Sequence, residues 1–386
     1  MLPYFKEEHE EVRRLAAEVA REFEPLAPEV DRREDYEQTR RNLLRLGELD
    51  LLGIRVPEEH GGSGMDTTSY LLVLEELSKV CGSTATSYDA HNLAIDAISI
   101  GGSEEQKGRF LPRLAREAIG AFALTEPQAG TDAASIRTRA VKRGSSYVIT
   151  GEKHYITNGG IADLFVVFAK TNPEKGARGI SAFVVERETP GLRIGKIEEK
   201  MGIRGSSTAQ IFLEEVEVPE GNLLRREGMG FPIAMKALDV GRLAVGGISV
   251  GTSKKALEIA VSYARERVQF GKPIASFQAI QHYLAEMATR TLAAEIMTYN
   301  AAWLHDQGRP ITREAAMVKV FASETALYVT DRAIQILGGA GYMSEYPIER
   351  GYRDSRIGTI AEGTSEILRL IVAREIVGAL RGGDEA

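Results

Sequence analysis

The sequence has few of the residues that build disulfides and metal sites. Its single cysteine, Cys81, rules out an intrachain disulfide and a multi-cysteine metal site. Its six histidines are scattered along the chain, and no HExxH motif is present. We therefore expect no metal site.

Basic excess and long apolar runs are absent as well. The net charge is −7, which gives no electrostatic basis for binding a nucleic acid backbone. The longest membrane candidate, Leu243–Ser253, is far shorter than the roughly 20 residues of a spanning helix. The N-terminal residues lack the apolar core of a signal peptide. These features predict a soluble, cytoplasmic protein with no nucleic acid partner and no membrane insertion.

Common nucleotide and hydrolase motifs are also missing. No GxGxxG follows a predicted strand, and the glycines of Gly338–Tyr342 have the wrong spacing for a dinucleotide turn. Thr252 stands where a phosphate loop needs lysine, and there is no GxSxG. Hydrolase and kinase chemistry are therefore disfavoured.

The hydrophobic periodicity changes twice along the chain. Three- and four-residue spacing predicts helices in the first third, with a break at Gly82; they are Tyr36–Leu49, Thr67–Val80, Ala90–Ile100 and Glu104–Arg116. From about Gly120, short segments rich in Val, Ile, Phe and Tyr predict strands. Helical spacing returns near Gly230 and ends with a helix at Ser365–Leu380. We predict an α+β chain with domains at 1–118 (helical), 119–229 (β barrel or sandwich) and 230–386 (helical).

Three polar segments interrupt the apolar patterns. FALTEPQAGTD, Phe122–Asp132, is a loop that could expose N–H groups to a ligand or be an ordinary turn. In the second segment, Arg242 of DVGR and Arg267 are 25 residues apart (267 − 242 = 25), which corresponds to about 37 Å along a continuous helix. Taken alone, Arg267 could also be a solvated cation. The third is QILGGAGY followed by TIAEGTSEILR, in which Glu362 could be a binding-site carboxylate or a surface residue at a helix start.

Together with GEKHYITNG and RVQFGKP, these segments resemble the acyl-CoA dehydrogenase family over nearly the whole chain. The resemblance implies a helical domain, a β domain and a C-terminal four-helix bundle, assembled as a homotetramer, a dimer of dimers. It also implies FAD as cofactor, an acyl-CoA substrate and electron-transfer flavoprotein as partner. By motif position, the implied FAD contacts are Leu124, Thr125, Gly130, Thr131, Tyr155, Ile156, Thr157, Arg267, Gln278, Gln335, Ile336, Leu337, Gly338, Gly339, Thr364, Ser365 and Glu366. Arg267 and Gln278 would come from an adjacent subunit.

The resemblance also assigns the chemistry. Thr131, Asp239, Arg242 and Gly363 would contact the substrate, and Glu362 matches the catalytic base. In the family, this carboxylate removes the α-proton while its own backbone N–H binds the thioester oxygen, and a hydride passes from the β-carbon to the flavin. The adjacent helix start would lower the pKa of Glu362, whereas burial by substrate would raise it.

Two departures refine the assignment, and two other functions stay open. Some branches of the family carry the base beside the arginine of DVGR, but this chain has Gly241 there, which leaves Glu362. Between Val80 and Gln106 only His91 could be basic, so the cation expected for a dicarboxylate is missing and a short or medium neutral acyl chain is favoured. The alternatives are a flavin oxidase or monooxygenase on the same fold, and a non-catalytic helical assembly protein.

Overall fold

Six helices form the N-terminal part of the computed structural model, which describes residues 5–382. They are α1 (Glu7–Phe23), α2 (Ala27–Arg33), α3 (Tyr36–Glu48), α4 (Thr67–Val80), α5 (Gly82–Gly101) and α6 (Glu104–Arg116). Side chains cap the starts of three of these helices: Asp35 accepts from the N–H of Gln38 before α3, Asp66 accepts from the N–H of Ser69 before α4, and Ser103 and Gln106 form a capping box at α6. The boundaries of α4 and α6 are those predicted from the sequence.

The chain breaks between α4 and α5 at Cys81, next to the predicted break at Gly82, but the predicted helix start at Ala90 is wrong, because α5 begins at Gly82. A Cβ at Gly82 would lie 2.6 Å from Oδ2 of Asp354, so the glycine allows a close approach to the C-terminal domain. The first turns of α5 bury polar side chains: the N–H of Gly205 donates to Ser83, and Ser87 hydrogen bonds to Ser206. Because these contacts are polar, the apolar periodicity of the sequence does not indicate the first turns of α5.

Seven strands form one curled sheet in the middle of the chain. They are β1 (Gly120–Ala123), β2 (Arg139–Arg143), β3 (Ser146–Thr157), β4 (Leu164–Lys170), β5 (Ile180–Glu186), β6 (Leu192–Ile197) and β7 (Thr208–Pro219). The order is β1-β4-β2-β3-β7-β6, and β5 pairs with β4. The β1–β4 pair is parallel, whereas β3 pairs antiparallel with β7.

The C-terminal part is helical except for one short hairpin. Its elements are α7 (Gly230–Glu266), β8 (Val268–Gln269), β9 (Lys272–Pro273), α8 (Gln278–Asp306), α9 (Thr312–Leu337), α10 (Gly339–Tyr342), α11 (Ile348–Ser355) and α12 (Ser365–Gly382). Helix α9 packs against α7, α8 and α12, which forms the four-helix bundle. Helix α7 also packs on α4 and α5 and thereby joins the bundle to the N-terminal helices.

The architecture is therefore the predicted α+β chain with a helical, a β and a helical part. Apolar side chains of α4, α5 and α7 share one buried core, and those of α5, α6 and the sheet share another. Within residues 5–382, no helix is long and apolar enough to cross a membrane. Both cores converge on α5 and α7, which places these two helices beside the turn that carries Glu362.

Candidate active site

The loop after β1 is held in place by a buried ion pair. Nζ of Lys153 lies 2.7 Å from Oε1 of Glu126 and also donates to the carbonyl of Leu124 at 3.1 Å. The backbone N–H of His154 donates to the carbonyl of Thr125 at 2.9 Å. Leu124 is buried and Thr125 is half-buried, whereas Gly130 and Thr131 at the tip of the loop are exposed. The loop thus has a fixed base and an open tip.

Glu126 anchors the other end of this loop. It accepts hydrogen bonds from the backbone N–H groups of Arg137 and Thr138. Burial lowers the pKa of Lys153 to about 8, against the attraction of Glu126, while burial and Lys153 act in opposite directions on Glu126, whose pKa is lowered overall. These five hydrogen bonds therefore fix the strand-to-loop junction.

Strand β3 presents the next predicted residues beside this loop. Tyr155 is 62% exposed and has a left-handed φ of 56°. Ile156 is buried and Thr157 half-buried. The exposed Tyr155 side chain is open to contact by a flat ligand.

The predicted residues for the far half of FAD lie on the C-terminal helices. Gln335 is exposed at the end of α9, Ile336 and Leu337 are buried, and Gly338 ends the helix with φ 59°. Gly339 is exposed and begins α10.

Arg267 follows α7 and Gln278 opens α8, and both are exposed. No hydrogen bond of residues 5–382 joins either side chain to the loop after β1. Their predicted role in an adjacent subunit's site stays a prediction.

Glu362 lies on a strained turn between a 3₁₀ segment and α12. Glu362 has φ 55° and Gly363 has φ 100°, both in the left-handed region that non-glycine residues rarely adopt. Nζ of Lys319 donates to the Gly363 carbonyl at 2.6 Å, and Nε of Arg242 lies 3.4 Å from the Glu362 carbonyl. Thr364 then caps α12, accepting from the N–H of Ile367 at 3.4 Å.

Gly241 provides the space for the Glu362 carboxylate. A Cβ at position 241 would lie 2.5 Å from Oε2 of Glu362 and 2.8 Å from the side chain of Leu93. Residue 362 is half-buried as a whole, but its Oε2 atom is buried. Burial is the main reason that the pKa of Glu362 is raised. This burial comes from the protein itself, whereas the sequence led us to expect it from the substrate.

Asp239 and Arg242 form a fixed pair beside this turn. Nη1 of Arg242 donates to Oδ1 of Asp239 at 2.6 Å, and Thr312 donates to Oδ2 at 2.7 Å. Arg242 is buried and Asp239 is half-buried. The structure thus brings the predicted substrate residues Asp239, Arg242 and Gly363 together around Glu362. Thr131 is exposed on the tip of the loop after β1.

Sequence reasoning missed several polar residues around the base. Asp89, Asp96 and Tyr70 are buried on α4 and α5, and Arg55 lies 2.8 Å from Asp96 with its guanidinium over the Tyr70 ring. Lys319 was also missed; burial lowers its pKa to about 8. The available signal was the two aspartates in SYDAHNLAID.

His91 does not supply a cation. Its Nδ1 accepts from the N–H of Gly120 at 2.9 Å, and burial lowers its pKa to about 3. The ring is therefore neutral at physiological pH. This agrees with the expectation that the segment between Val80 and Gln106 holds no cation for a dicarboxylate.

With this geometry defined, the class of protein can be stated. Three family descriptions match the chain: "Acyl-CoA dehydrogenase, N-terminal domain" over residues 6–118, "middle domain" over 121–216 and "C-terminal domain" over 228–377. The chain belongs to the acyl-CoA dehydrogenase family. The resemblance and fold class inferred from sequence are confirmed.

Relatives of known activity cover almost the whole chain. It is 47% identical to acryloyl-CoA reductase (NADH) of Anaerotignum propionicum, over 96% of this chain and 94% of that protein. It is 44% identical to the short-chain specific acyl-CoA dehydrogenase of Clostridium acetobutylicum, over 96% and 98%. These relatives act in opposite directions by name.

Solved structures superimpose closely. Butyryl-CoA dehydrogenase of Megasphaera elsdenii gives a TM-score of 0.95 at 40% identity, with 98% of this chain and all of that one covered. Acyl-CoA dehydrogenase complexed with FAD from Bacillus anthracis gives 0.94 at 38% identity, covering 100% and 69%. A chain in the structure of the electron transferring flavoprotein of Acidaminococcus fermentans gives 0.95 at 44% identity, covering 97% and 99%.

Proposed function

We propose that Glu362 is the base with which this enzyme removes the α-proton of a short-chain acyl-CoA thioester, giving a trans-2-enoyl-CoA. The observation that carries the proposal is the buried Glu362 carboxylate against the bare backbone of Gly241. A carboxylate with a raised pKa is a stronger base, and its buried position excludes competing water.

The residues of this chain fit FAD. Oγ of Ser365 is buried and has no hydrogen-bond partner within residues 5–382, so a ligand hydroxyl or phosphate would satisfy it. Cβ atoms built at Gly130, Gly338 and Gly339 meet no atom within 4 Å, which leaves room for a ligand at both predicted halves of the site. We propose that the FAD contacts are those assigned from the motifs. When bound, FAD supplies the acceptor for the hydride of the β-carbon.

The backbone of the Glu362 turn can bind the thioester. Within the described chain, the N–H of Glu362 donates to no oxygen, so it can donate to the thioester oxygen as negative charge develops there. The Lys319 contact to Gly363 holds the turn that aims this N–H. The same residue thus takes the proton and stabilises the oxygen.

The surroundings of the base favour a short, neutral acyl group. Leu93 offers apolar contact, but α5 and α4 also bury the hydrogen-bonded Asp89 and Tyr70, and burying a long apolar tail against such polar groups would cost free energy. The neutral His91 offers no charge for a distal carboxylate. We further propose a cytoplasmic enzyme that passes its electrons to an electron-transfer flavoprotein, as the match to a chain in the A. fermentans structure supports.

The test is anaerobic mixing of the purified yellow protein with a panel of acyl-CoAs. Butyryl-CoA is expected to bleach the flavin absorbance in one turnover, with the rate falling from butyryl- to octanoyl-CoA. A matched control is glutaryl-CoA, which should bleach poorly because its distal carboxylate finds no cation. A protein whose flavin no acyl-CoA bleaches would contradict the proposal.

A second candidate is the reverse reaction, reduction of a 2-enoyl-CoA. The 47% identity to acryloyl-CoA reductase (NADH) favours it. Mixing chemically reduced protein with crotonyl-CoA, and oxidised protein with butyryl-CoA, compares the two directions in one instrument. The reductase would be favoured if NADH reduces the flavin and crotonyl-CoA then reoxidises it faster than butyryl-CoA reduces the oxidised flavin. Rapid reoxidation by air alone would instead favour an oxidase.

A further inference from the structure

Lys319 of α9 is a charged residue in the interior of the C-terminal bundle. Its side chain is 0% exposed, and its Nζ donates to the carbonyl oxygen of Gly363 at 2.6 Å. Within residues 5–382, this carbonyl is its one acceptor and no carboxylate forms an ion pair with it. Buried lysines are normally paired with an opposite charge. Lys319 departs from that pattern, and its partner is a neutral backbone group.

The charge of Lys319 does not stabilise the fold. Burial lowers the pKa of Lys319 to about 8. The charged groups that face it are Glu362, Arg242, Glu366 and Glu324, and the three carboxylates only partly offset the burial. Because the pKa in the folded protein lies below its ordinary value of 10.5, folding disfavours the ammonium form. This destabilisation is present below about pH 8 and disappears as the pH rises towards 10.5.

The acceptor of the Lys319 hydrogen bond belongs to the strained turn that carries the proposed base. Glu362 at φ 55° and Gly363 at φ 100° both have left-handed backbone conformations, and such strain persists only where the surrounding structure holds it. Because a peptide group is planar, fixing the Gly363 carbonyl also fixes the N–H of Thr364, the cap of α12. The bond therefore fixes the junction between the turn and α12.

A second cation holds the preceding peptide group. Nε of Arg242 on α7 lies 3.4 Å from the carbonyl oxygen of Glu362, so Arg242 and Lys319 bind successive carbonyls on the two sides of the Gly363 Cα. Orienting both peptide planes fixes both dihedral angles of Gly363. Arg242 is also paired with Asp239, whereas Lys319 has the turn alone as its partner among the described residues. An unpaired buried charge and a strained backbone thus meet at one point.

We propose that Lys319 is a positioning residue for proton abstraction: through the Gly363 carbonyl it holds the left-handed turn, so that the carboxylate and the backbone N–H of Glu362 meet the acyl-CoA thioester in a reactive geometry. The proposal rests on the assignment of Glu362 as the base. It implies that the buried charge is retained for the site and not for the fold, so removing it should lower the rate without lowering stability.

Two variants of Lys319 and one neighbour test this role. Lys319→Met keeps an unbranched chain and removes the ammonium, and Lys319→Gln has the same length as Met but keeps an N–H donor. The matched control is Val318→Ala on the same helix, because Val318 is 2% exposed and packs in the core formed with α4 and α7. Anaerobic bleaching at several butyryl-CoA concentrations gives the rate and the dissociation constant, and thermal unfolding at pH 7 gives the melting temperature.

The expected result separates rate from stability. Lys319→Met should bleach at least about tenfold more slowly than wild type, because small displacements of reacting groups slow a reaction strongly. The dissociation constant should change less than about threefold, since the hydrogen bond to the thioester oxygen strengthens mainly in the transition state. The melting temperature should equal or exceed that of the wild type, because an unpaired buried charge is gone. Lys319→Gln should bleach at a rate between those of Lys319→Met and wild type.

Val318→Ala should show the opposite pattern. Its cavity lowers the melting temperature, while its bleaching rate stays within about threefold of wild type. A wild-type rate in Lys319→Met would overturn the proposal. So would a slow Lys319→Met whose loss of rate and melting temperature is matched by Val318→Ala, because the lysine would then act only through the packing of the bundle.

Hydrogen–deuterium exchange of the flavin-containing protein without substrate tests the turn apart from turnover. Peptides that cover residues 359–366 include the hydrogen-bonded N–H groups of Ile360 and Ala361. They should exchange about tenfold faster in Lys319→Met than in wild type and at the wild-type rate in Val318→Ala. Unchanged exchange in Lys319→Met would overturn the proposal. If exchange quickens as expected but no acyl-CoA bleaches the wild-type flavin, the proposed function fails while Lys319 is still shown to hold the turn.

Discussion

At the scale of single residues, the site depends on an uncommon backbone conformation. Glu362 at φ 55° is followed by Gly363 at φ 100°, and a non-glycine residue in the left-handed region costs about 1–3 kcal/mol. The Lys319 hydrogen bond to the Gly363 carbonyl holds this turn. The strained backbone lies at the residue whose carboxylate, that of Glu362, must point back at α7 rather than out along α12.

Gly241 gives a direct test of this geometry. Gly241→Ala would place a methyl 2.5 Å from Oε2 of Glu362, so the carboxylate must move. A displacement of about 1 Å costs on the order of 100-fold in rate, and we expect that loss in single-turnover bleaching with flavin content retained.

The matched control is Gly247→Ala on the same helix. A Cβ there lies 3.3 Å from the carbonyl oxygen of Leu71 and far from the base, so it should lose less than about threefold. Equal rates in the two variants would mean that the Glu362 carboxylate does not occupy the position described.

At the scale of elements, sequence predicted some boundaries well and others poorly. Helix α4 was predicted completely because Asp66 caps its start and Cys81 follows its end. The start of α5 was missed because its first turns make polar contacts with Gly205 and Ser206, which apolar periodicity does not indicate. Asp89 was missed for a related reason: periodicity shows which residues are buried but not which distant side chain they contact, here the Tyr70 hydroxyl.

The buried Lys153–Glu126 ion pair holds the loop after β1, which carries predicted FAD contacts. Lys153→Met leaves the Glu126 charge uncompensated, which typically costs about 3–5 kcal/mol, and it releases the Leu124 carbonyl. We expect a loss of that size in urea unfolding, together with weaker FAD retention.

The double variant Lys153→Met/Glu126→Gln serves as control, since removing both charges should recover part of the stability. If Lys153→Met were as stable as wild type and kept its flavin, the pair would not be what fixes the loop.

At the scale of the whole molecule, apolar side chains cover part of the C-terminal surface. The β8–β9 hairpin turns through Phe270 and Gly271 with positive φ at both, a two-residue turn that leaves Phe270 93% exposed. Leu292 and Ile296 of α8 are exposed as well. Homotetramers are typical of the family, and such a surface fits subunit contact. The predicted FAD residues Arg267 and Gln278 flank the hairpin, so assembly and cofactor binding should be linked.

Phe270→Asp tests that link. An unpaired carboxylate in an apolar interface is unfavourable, so sedimentation should show smaller assemblies and FAD affinity should fall at least about tenfold. Val141→Asp, on exposed β2 in the β domain, is the control and should change neither. A Phe270→Asp protein that stays tetrameric with full flavin would place the interface elsewhere.

The most direct measurement is anaerobic single-turnover bleaching of the flavin by butyryl-CoA in wild type and in Glu362→Gln. The amide keeps the size and the backbone N–H of residue 362 but cannot take a proton. We expect butyryl-CoA to bind the variant and perturb its flavin spectrum, with bleaching slowed by at least about 100-fold. A Glu362→Gln protein that bleaches as fast as wild type would contradict the assignment of Glu362 as the base.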